Sequence, residues 1–168
     1  MRSSQAMPEP RAARGARSIA DGVRLVRGGF PRLINVYLVA DGARRVLPRL
    51  WRRWDSGPVR VARTLKEGDV VAGFEIVHLP GHAPGEIALW RRSDRLALAS
   101  DCFFTINIES GRKGAARLPP AVLTQDPEQA RASMLKLAAL EPAAAWPGHG
   151  DPLLIDVRAT LEHAASRS

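Results

Sequence analysis

The apolar positions of this chain fall mostly in short runs, and only a few segments show the spacing of a helix. Apolar runs bounded by glycine, proline and aspartate predict strands, because a strand buries one or both of its faces. The predicted strands cover residues 19–27, 33–40, 74–79, 86–90, 95–100 and 143–146. Asp41-Gly42 predicts a tight turn after the second strand, and Ser93-Asp94 predicts one between the fourth and the fifth.

Two helices are predicted in the C-terminal third of the chain. Asp126 followed by Pro127, and Asp151 followed by Pro152, each combine a helix-capping side chain with a residue that suits the first helical position. The apolar stripe of the first helix consists of Ala130, Met134, Leu137 and Ala138. Residues 111–120 are polar and contain glycine and proline, which predicts a loop between the strands and these helices.

Basic residues are concentrated in the front part of the chain. Residues 1–63 contain 14 arginines and 4 acidic residues, whereas the whole chain has a net charge of +8. Within residues 43–54, one helical face would carry Leu47, Leu50, Trp51 and Trp54. Such a basic amphipathic helix suits either a nucleic-acid or membrane-surface contact, or packing of its tryptophans on a sheet. We favour packing, and we do not expect nucleic-acid binding.

The length and composition indicate one folded domain. The 168 residues with 45% apolar content are enough to bury a core. We expect a disordered tail at residues 1–17 and a single domain at residues 18–168. Cys102 is the only cysteine, which excludes an internal disulfide and suits the cytoplasm. No apolar run is long enough for a transmembrane segment.

Three residues with metal-binding side chains follow predicted strands. His82 lies in H-L-P-G-H-A-P-G, Asp101 in A-L-A-S-D, and His149 in W-P-G-H-G. Side chains at strand ends can meet at one edge of a sheet, and neighbouring glycines allow the backbone to turn sharply. Imidazole and carboxylate groups are suitable ligands for zinc, manganese or iron. The pattern therefore makes His82, Asp101 and His149 candidate metal ligands.

These motifs resemble those of the metallo-β-lactamase superfamily, in particular its glyoxalase II-like branch. The similar segments are T-L-K-E-G-D followed by a strand and H-L-P-G-H-A-P-G, then R-L-A-L-A-S-D, then W-P-G-H-G-D-P. The resemblance implies an αββα sandwich of two mixed sheets flanked by helices, with one or two zinc ions at one edge. It implies that His82 binds the first ion, Asp101 bridges both, and His149 binds the second. Metal-activated water then attacks a thioester or another acyl substrate.

The chain departs from the family at its main metal-binding motif. H-x-H-x-D-H is absent, and no histidine precedes His78. We therefore expect a truncated sandwich and a hydrolase homologue that is inactive or impaired. The alternative is an active hydrolase of a small-molecule acyl substrate, with Asp55, Cys102 or His78 as replacement ligands. A homo-oligomer could cover the sheet edge that the missing region would expose.

Overall fold

The N-terminal part of the domain is a three-stranded antiparallel sheet. The computed structural model describes the backbone of residues 17–28, 34–39 and 64–167, and the side chains of 17–23, 25 and 64–167. The sheet contains β1 (Arg17–Ala20), β2 (Val23–Gly28) and β3 (Ile34–Val39) in that order. The prediction of a single strand over residues 19–27 was wrong, because Gly22 adopts a φ of 66° and the chain reverses there.

Seven more strands follow within residues 64–167. They are β4 (Val70–Val71), β5 (Phe74–His78), β6 (Ile87–Arg91), β7 (Leu96–Leu98), β8 (Phe104–Ile106), β9 (Lys113–Arg117) and β10 (Ala144–Trp146). Five of them form a mixed sheet in the order β10-β7-β6-β5-β4. β10 pairs parallel to β7, and the other pairs are antiparallel. The strands predicted over residues 74–79, 86–90, 95–100 and 143–146 are confirmed.

The predicted loop over residues 111–120 is wrong in its central part. β9 pairs antiparallel with β8 and forms a separate two-stranded sheet. The hairpin is closed by hydrogen bonds from the Gly111 N–H to the Asn107 carbonyl and from the Asn107 N–H to the Arg112 carbonyl, both 2.8 Å. Of the five residues of β9, only Ala116 is buried. A strand with so little apolar surface has the composition of a loop, which is why the sequence pattern missed it.

Two helices cover one face of the five-stranded sheet. α1 (Pro127–Ala139) begins as predicted, since the Asp126 carboxylate accepts a hydrogen bond of 3.0 Å from the Gln129 N–H. α2 (Val157–Ser166) begins five residues later than the Asp151-Pro152 signal predicted. The chain is extended there instead, because Leu153 exchanges backbone hydrogen bonds of 2.9 and 3.0 Å with Ala145 at the edge of β10.

The five-stranded sheet is buried on both faces. Side chains alternate along a strand, so Ala97 and Ala99 face the helices while Leu96 and Leu98 face the N-terminal sheet. The helical side of the core includes Val77, Leu79, Trp90, Met134, Leu137, Leu161 and Ala164. The opposite side consists of Val23, Leu25, Phe74, Leu96, Leu98 and Trp146. This layered arrangement confirms the predicted α/β fold class.

Several predictions concern residues outside the described part of the chain. One is the predicted disordered tail, of which only Arg17 is described, in β1. The others are the Asp41-Gly42 turn, the basic amphipathic helix over residues 43–54, and Asp55 as a replacement ligand. Within the described residues, no helix is long and apolar enough to cross a membrane.

Leu137→Ala tests the packing of α1 on the sheet. Leu137 is fully buried, so the cavity left by alanine should lower the free energy of unfolding by about 2–5 kcal/mol. Leu135→Ala is the matched control on the same helix, because Leu135 is 43% exposed. This substitution should lower the free energy of unfolding by less than about 1 kcal/mol. Urea unfolding followed by circular dichroism measures both. Equal losses for the two variants would contradict the described orientation of α1.

Candidate metal centre

His82, Asp101 and His149 meet at one edge of the five-stranded sheet. The His82 Nε2 atom lies 3.8 Å from Asp101 Oδ2, and the His149 Nε2 atom lies 3.5 Å from Asp101 Oδ1. The three side chains are 20%, 29% and 20% exposed, in the order His82, Asp101, His149. The Asp101 carboxylate therefore lies between two imidazoles, in a site that solvent and a small solute can reach.

The loop that carries His82 is fastened to the start of α1. The buried Ser133 hydroxyl donates a hydrogen bond of 2.6 Å to the Pro80 carbonyl, and the Asp126 N–H donates one of 2.9 Å to the Gly81 carbonyl. Gly81 has a φ of 137°, and a Cβ atom there would overlap the backbone of Ala130. Glycine is therefore required at this position, and the loop can lie directly against the helix.

Asp101 follows a strained turn at the end of β7. Ser100 has a φ of 48°, which is unfavourable for a residue with a side chain and is typical of functional sites. The Ser100 carbonyl accepts a hydrogen bond from the Gly148 N–H, so the segment before His149 lies beside the aspartate. A Cβ atom on Gly148 would overlap the Asp101 carboxylate. The glycine next to His149 therefore makes room for the acidic side chain.

His149 is oriented by the strand that follows Asp101. The Thr105 N–H donates a hydrogen bond of 3.2 Å to the His149 carbonyl, and the Thr105 hydroxyl donates one of 2.6 Å to the Asp151 carbonyl. The buried Phe104 ring meets the His149 ring edge-on at 4.6 Å between centroids. It also lies 6.2 Å from the His82 ring. One aromatic side chain thus contacts or approaches both imidazoles from the protein interior.

The separations between these side chains suit metal binding better than direct hydrogen bonds. A hydrogen bond from an imidazole nitrogen to a carboxylate oxygen is shorter than about 3.2 Å. Two ligand atoms on one tetrahedral zinc lie about 3.4 Å apart, given the usual zinc–nitrogen and zinc–oxygen distances. However, among residues 17–28, 34–39 and 64–167, no group of three or more such side chains already has the geometry to hold a metal ion. The donor types fit a metal, and binding one would require these side chains to rearrange.

Glu86 is a site residue that the sequence analysis missed. It lies at the end of the H-L-P-G-H-A-P-G-E motif and is only 7% exposed, and neither carboxylate oxygen has a hydrogen-bond partner among the described residues. Burial, reinforced by the negative charge of Asp101, raises the pKa of Glu86 to about 7. Its place directly after Pro84-Gly85 was the available signal, but burial is not visible in sequence.

Cys102 and His78, two of the replacement ligands considered from the sequence, do not form a metal-binding group with the three candidate ligands in the described part of the chain. Cys102 is buried in the core on the helical side of the sheet, and burial followed by the charge of Glu86 raises the pKa of its thiol. The thiolate that a metal needs is therefore disfavoured. At His78, the backbone N–H donates a hydrogen bond of 2.5 Å to the Glu67 carboxylate, and the backbone carbonyl accepts one of 3.0 Å from the Lys136 ammonium group. Glu67 and Lys136 also form an ion pair with each other.

A separate cavity of about 440 Å³ lies near the other end of β7 and β10. Arg95, Glu141 and Arg158 are among its lining residues. The Arg158 guanidinium is paired with both Glu141 and Glu162, at 2.6 and 2.8 Å. None of the three candidate ligands lines this cavity, so it is separate from the candidate metal centre.

The chain matches a family model and the sequences of two probable metallo-hydrolases. Residues 27–149 match the model of the metallo-beta-lactamase superfamily. Two proteins of Bacillus subtilis (strain 168) are similar to it: the probable metallo-hydrolase YflN, 40% identical over 94 residues, and the probable metallo-hydrolase YqjP, 27% identical over 110 residues. The matches cover 52% and 61% of this chain but only 36% and 32% of those proteins. The chain thus spans about a third of the length of these relatives.

Solved structures of the same superfamily resemble the chain in part. The metallo-beta-lactamase family protein TTHA1429 from Thermus thermophilus is 25% identical, with a TM-score of 0.49 over 65% of this chain and 36% of that one. TTHA1623, solved in a di-iron-bound form, is 33% identical, with a TM-score of 0.44 over 61% of this chain and 47% of that one.

Gly148→Ala tests the close approach of the His149 segment to Asp101. The added methyl group would overlap the carboxylate, so we expect a loss of about 1–3 kcal/mol in the free energy of unfolding. Gly85→Ala is the matched control in the His82 loop, because a Cβ atom there meets nothing within 4 Å. Denaturant unfolding measures both variants. A Gly148 variant as stable as the Gly85 variant would show that the two segments are farther apart than described.

Proposed function

The chain belongs to the metallo-beta-lactamase superfamily, and from this premise we propose that it is a metallo-hydrolase homologue with an incomplete metal centre. In this proposal, His82, Asp101 and His149 bind one divalent ion weakly, and hydrolysis is slow or absent. The observation that carries it is the placement of one carboxylate between two imidazoles, at separations near those of atoms that share a metal. Zinc suits two imidazoles and a carboxylate.

The number of donors limits what this centre can do. Catalytic zinc sites hold one ion with three protein ligands, and binuclear sites need more donors to keep two ions close together. His82, Asp101 and His149 provide three donors in total, and the first metal-binding motif of the family is absent from the sequence. A bound ion would lower the pKa of a water molecule and polarise an acyl substrate. With only three donors, we expect one ion and little turnover.

An active hydrolase is the second candidate function. The 40% identity to the probable metallo-hydrolase YflN over 94 residues favours it. This candidate needs a second ion and further ligands, for which Asp55 is available in the sequence. A small-molecule acyl substrate and a homo-oligomer that covers the truncated sheet belong to the same proposal. The two candidates differ in metal stoichiometry and in turnover, so one set of measurements separates them.

Metal titration of the purified chain tests the proposed function. Zinc and manganese binding should reach about one ion per chain, and His82→Ala should abolish it because it removes one of three ligands. His163→Ala is the matched control, since His163 is exposed on α2. Isothermal calorimetry and elemental analysis give the stoichiometry. Thioester, lactam and phosphodiester substrates should be hydrolysed no faster by the wild-type chain than by His82→Ala.

Each other outcome has a definite meaning. Binding of about two ions, with turnover that His82→Ala abolishes, would establish the active hydrolase instead. Failure of the wild-type chain to bind any ion would refute the proposed function, because the three side chains would then not act as ligands. Equal loss of binding in the His163 control would show that the bound metal lies elsewhere.

A further inference from the structure

Three residues form a row across the strands beside the candidate metal centre. Arg117 on β9 pairs directly with Phe104 on β8, and Phe104 in turn forms a parallel bridge with His149. Residues that pair directly across neighbouring strands have their side chains on the same face of the sheet. Arg117, Phe104 and His149 therefore carry their side chains on one face, with about 4.8 Å from each strand to the next.

This face of the sheet is the one that carries the candidate metal centre. Phe104 is the middle residue of the row, and its ring meets the His149 ring edge-on at 4.6 Å and approaches the His82 ring at 6.2 Å. Two strand spacings separate the backbone of Arg117 from that of His149, which is about 10 Å. A small organic acid is long enough to contact both side chains across this gap.

A neighbouring lysine shows that a basic side chain on β9 reaches across β8. Lys113 and Arg117 both lie on β9, and both pair directly with residues of β8 that are two positions apart and share a face. The Lys113 ammonium group lies 2.7 Å from the carboxylate of Asp151, two residues after His149. Because Arg117 starts from the same strand and the same face, its guanidinium can reach the space beside His149 in the same way.

The charge of Arg117 has no carboxylate partner in the described part of the chain. Every ion pair within residues 17–23, 25 and 64–167 joins other side chains, and Arg117 is exposed. The guanidinium has room because Gly114 has no side chain, since a Cβ atom there would lie 2.9 Å from the Arg117 Nη2 atom. An accessible guanidinium of this kind is a binding group for an anion.

We propose that Arg117 binds the carboxylate of a small acidic ligand whose other end contacts the candidate metal centre. An exposed arginine alone is common, so the observation that carries the inference is its place in one row with Phe104 and His149. The planar guanidinium matches a carboxylate through two parallel hydrogen bonds. The contact with a metal ion rests on the proposed function, whereas the contact with Arg117 does not. This inference selects acyl compounds that carry a second, ionised carboxylate.

The metal-free protein tests the contact with Arg117 separately. Glutarate, titrated at constant ionic strength because salt screens exposed charges, should shift the Arg117 Nε–H and Phe104 amide signals in ¹H–¹⁵N spectra. Arg117→Gln should weaken glutarate binding by about fivefold, which is the upper end for an exposed ion pair. Arg117→Lys should have an intermediate effect, because an ammonium group keeps the charge but not the planar fork. Arg112→Gln, on the same hairpin, is the matched control and should not change the binding.

The zinc-loaded protein tests the reach from Arg117 to the candidate centre. Succinate, glutarate and adipate are each compared with the monoamide of the same acid, which has one carboxylate in place of two. At the chain length that spans the gap, the diacid should bind about fivefold more tightly than its monoamide, and Arg117→Gln should remove this difference. The zinc affinity itself should be the same in wild type and Arg117→Gln, because Arg117 is not a metal ligand. Isothermal calorimetry measures both affinities.

Several results would overturn the proposed carboxylate site. Glutarate binding that Arg117→Gln leaves unchanged would show that the anion is bound elsewhere. An equal loss in Arg112→Gln would show that only the overall positive charge of the hairpin attracts it. Tighter binding of inorganic phosphate than of glutarate at Arg117 would overturn the assignment to a carboxylate. Diacids that bind the zinc-loaded protein no better than their monoamides would overturn the reach to the centre.

Failure of this proposal and failure of the proposed function are distinguishable. A wild-type chain that binds no zinc, but whose glutarate binding is weakened by Arg117→Gln, would support the contact with Arg117 and refute only the metal centre. Zinc binding without any effect of Arg117→Gln on glutarate would do the opposite. Because Arg117 is exposed, the melting temperature of Arg117→Gln should equal that of wild type. If it is lower, Arg117→Lys carries the same comparison.

Discussion

The parallel pairing of β7 with β10 is the constraint on which the candidate centre depends. It continues beyond the strands through a hydrogen bond of 2.8 Å from the Ala99 N–H to the Trp146 carbonyl, and then through the bond from Gly148 to Ser100. Parallel strands end at the same edge of a sheet, so the residues after β7 and β10 must lie side by side. Asp101 and His149 therefore meet although 48 positions separate them in the sequence.

The core on both faces of the sheet keeps this edge rigid. Small residues such as Ala97 and Ala99 let the helices pack close to β7, while Leu96 and Leu98 contact the N-terminal sheet on the opposite face. The left-handed backbone at Ser100 is unfavourable in isolation, and the packed strands on either side hold it in place. The loops of the candidate centre are thus held by backbone and side-chain contacts within the protein.

The candidate centre brings together few donors, on loops that are each held by the protein. The Ser133 hydroxyl is bonded to the loop that carries His82, the Thr105 hydroxyl is bonded to the loop that carries His149, and the Phe104 ring packs edge-on against the His149 ring. In the proposed function, the number of ligands limits the metal affinity. The chain belongs to the metallo-beta-lactamase superfamily, and the absence of H-x-H-x-D-H from its sequence is the basis of the proposed loss of hydrolysis.

Local patterns determined the parts of the structure that depend on neighbouring residues. The cap at Asp126, the apolar stripe of α1 and four of the five strands of the buried sheet were predictable, because capping and side-chain alternation act over a few residues. The motifs around His82, Asp101 and His149 likewise indicated metal-binding side chains at strand ends. These features gave the fold class and the identity of the candidate ligands, but not the distances between them.

Tertiary structure decided the features that depend on pairing or packing between segments distant in the sequence. Asp151-Pro152 is a sound helix start, yet the segment after it pairs with β10 because edge hydrogen bonds with Ala145 were available. β9 is a strand because β8 lies beside it, although its own residues are mostly exposed. Glu86 is buried, which no local pattern records. The sequence by itself indicated the candidate ligands, whereas long-range pairing and packing brought them together, because those interactions join segments that are far apart in the chain.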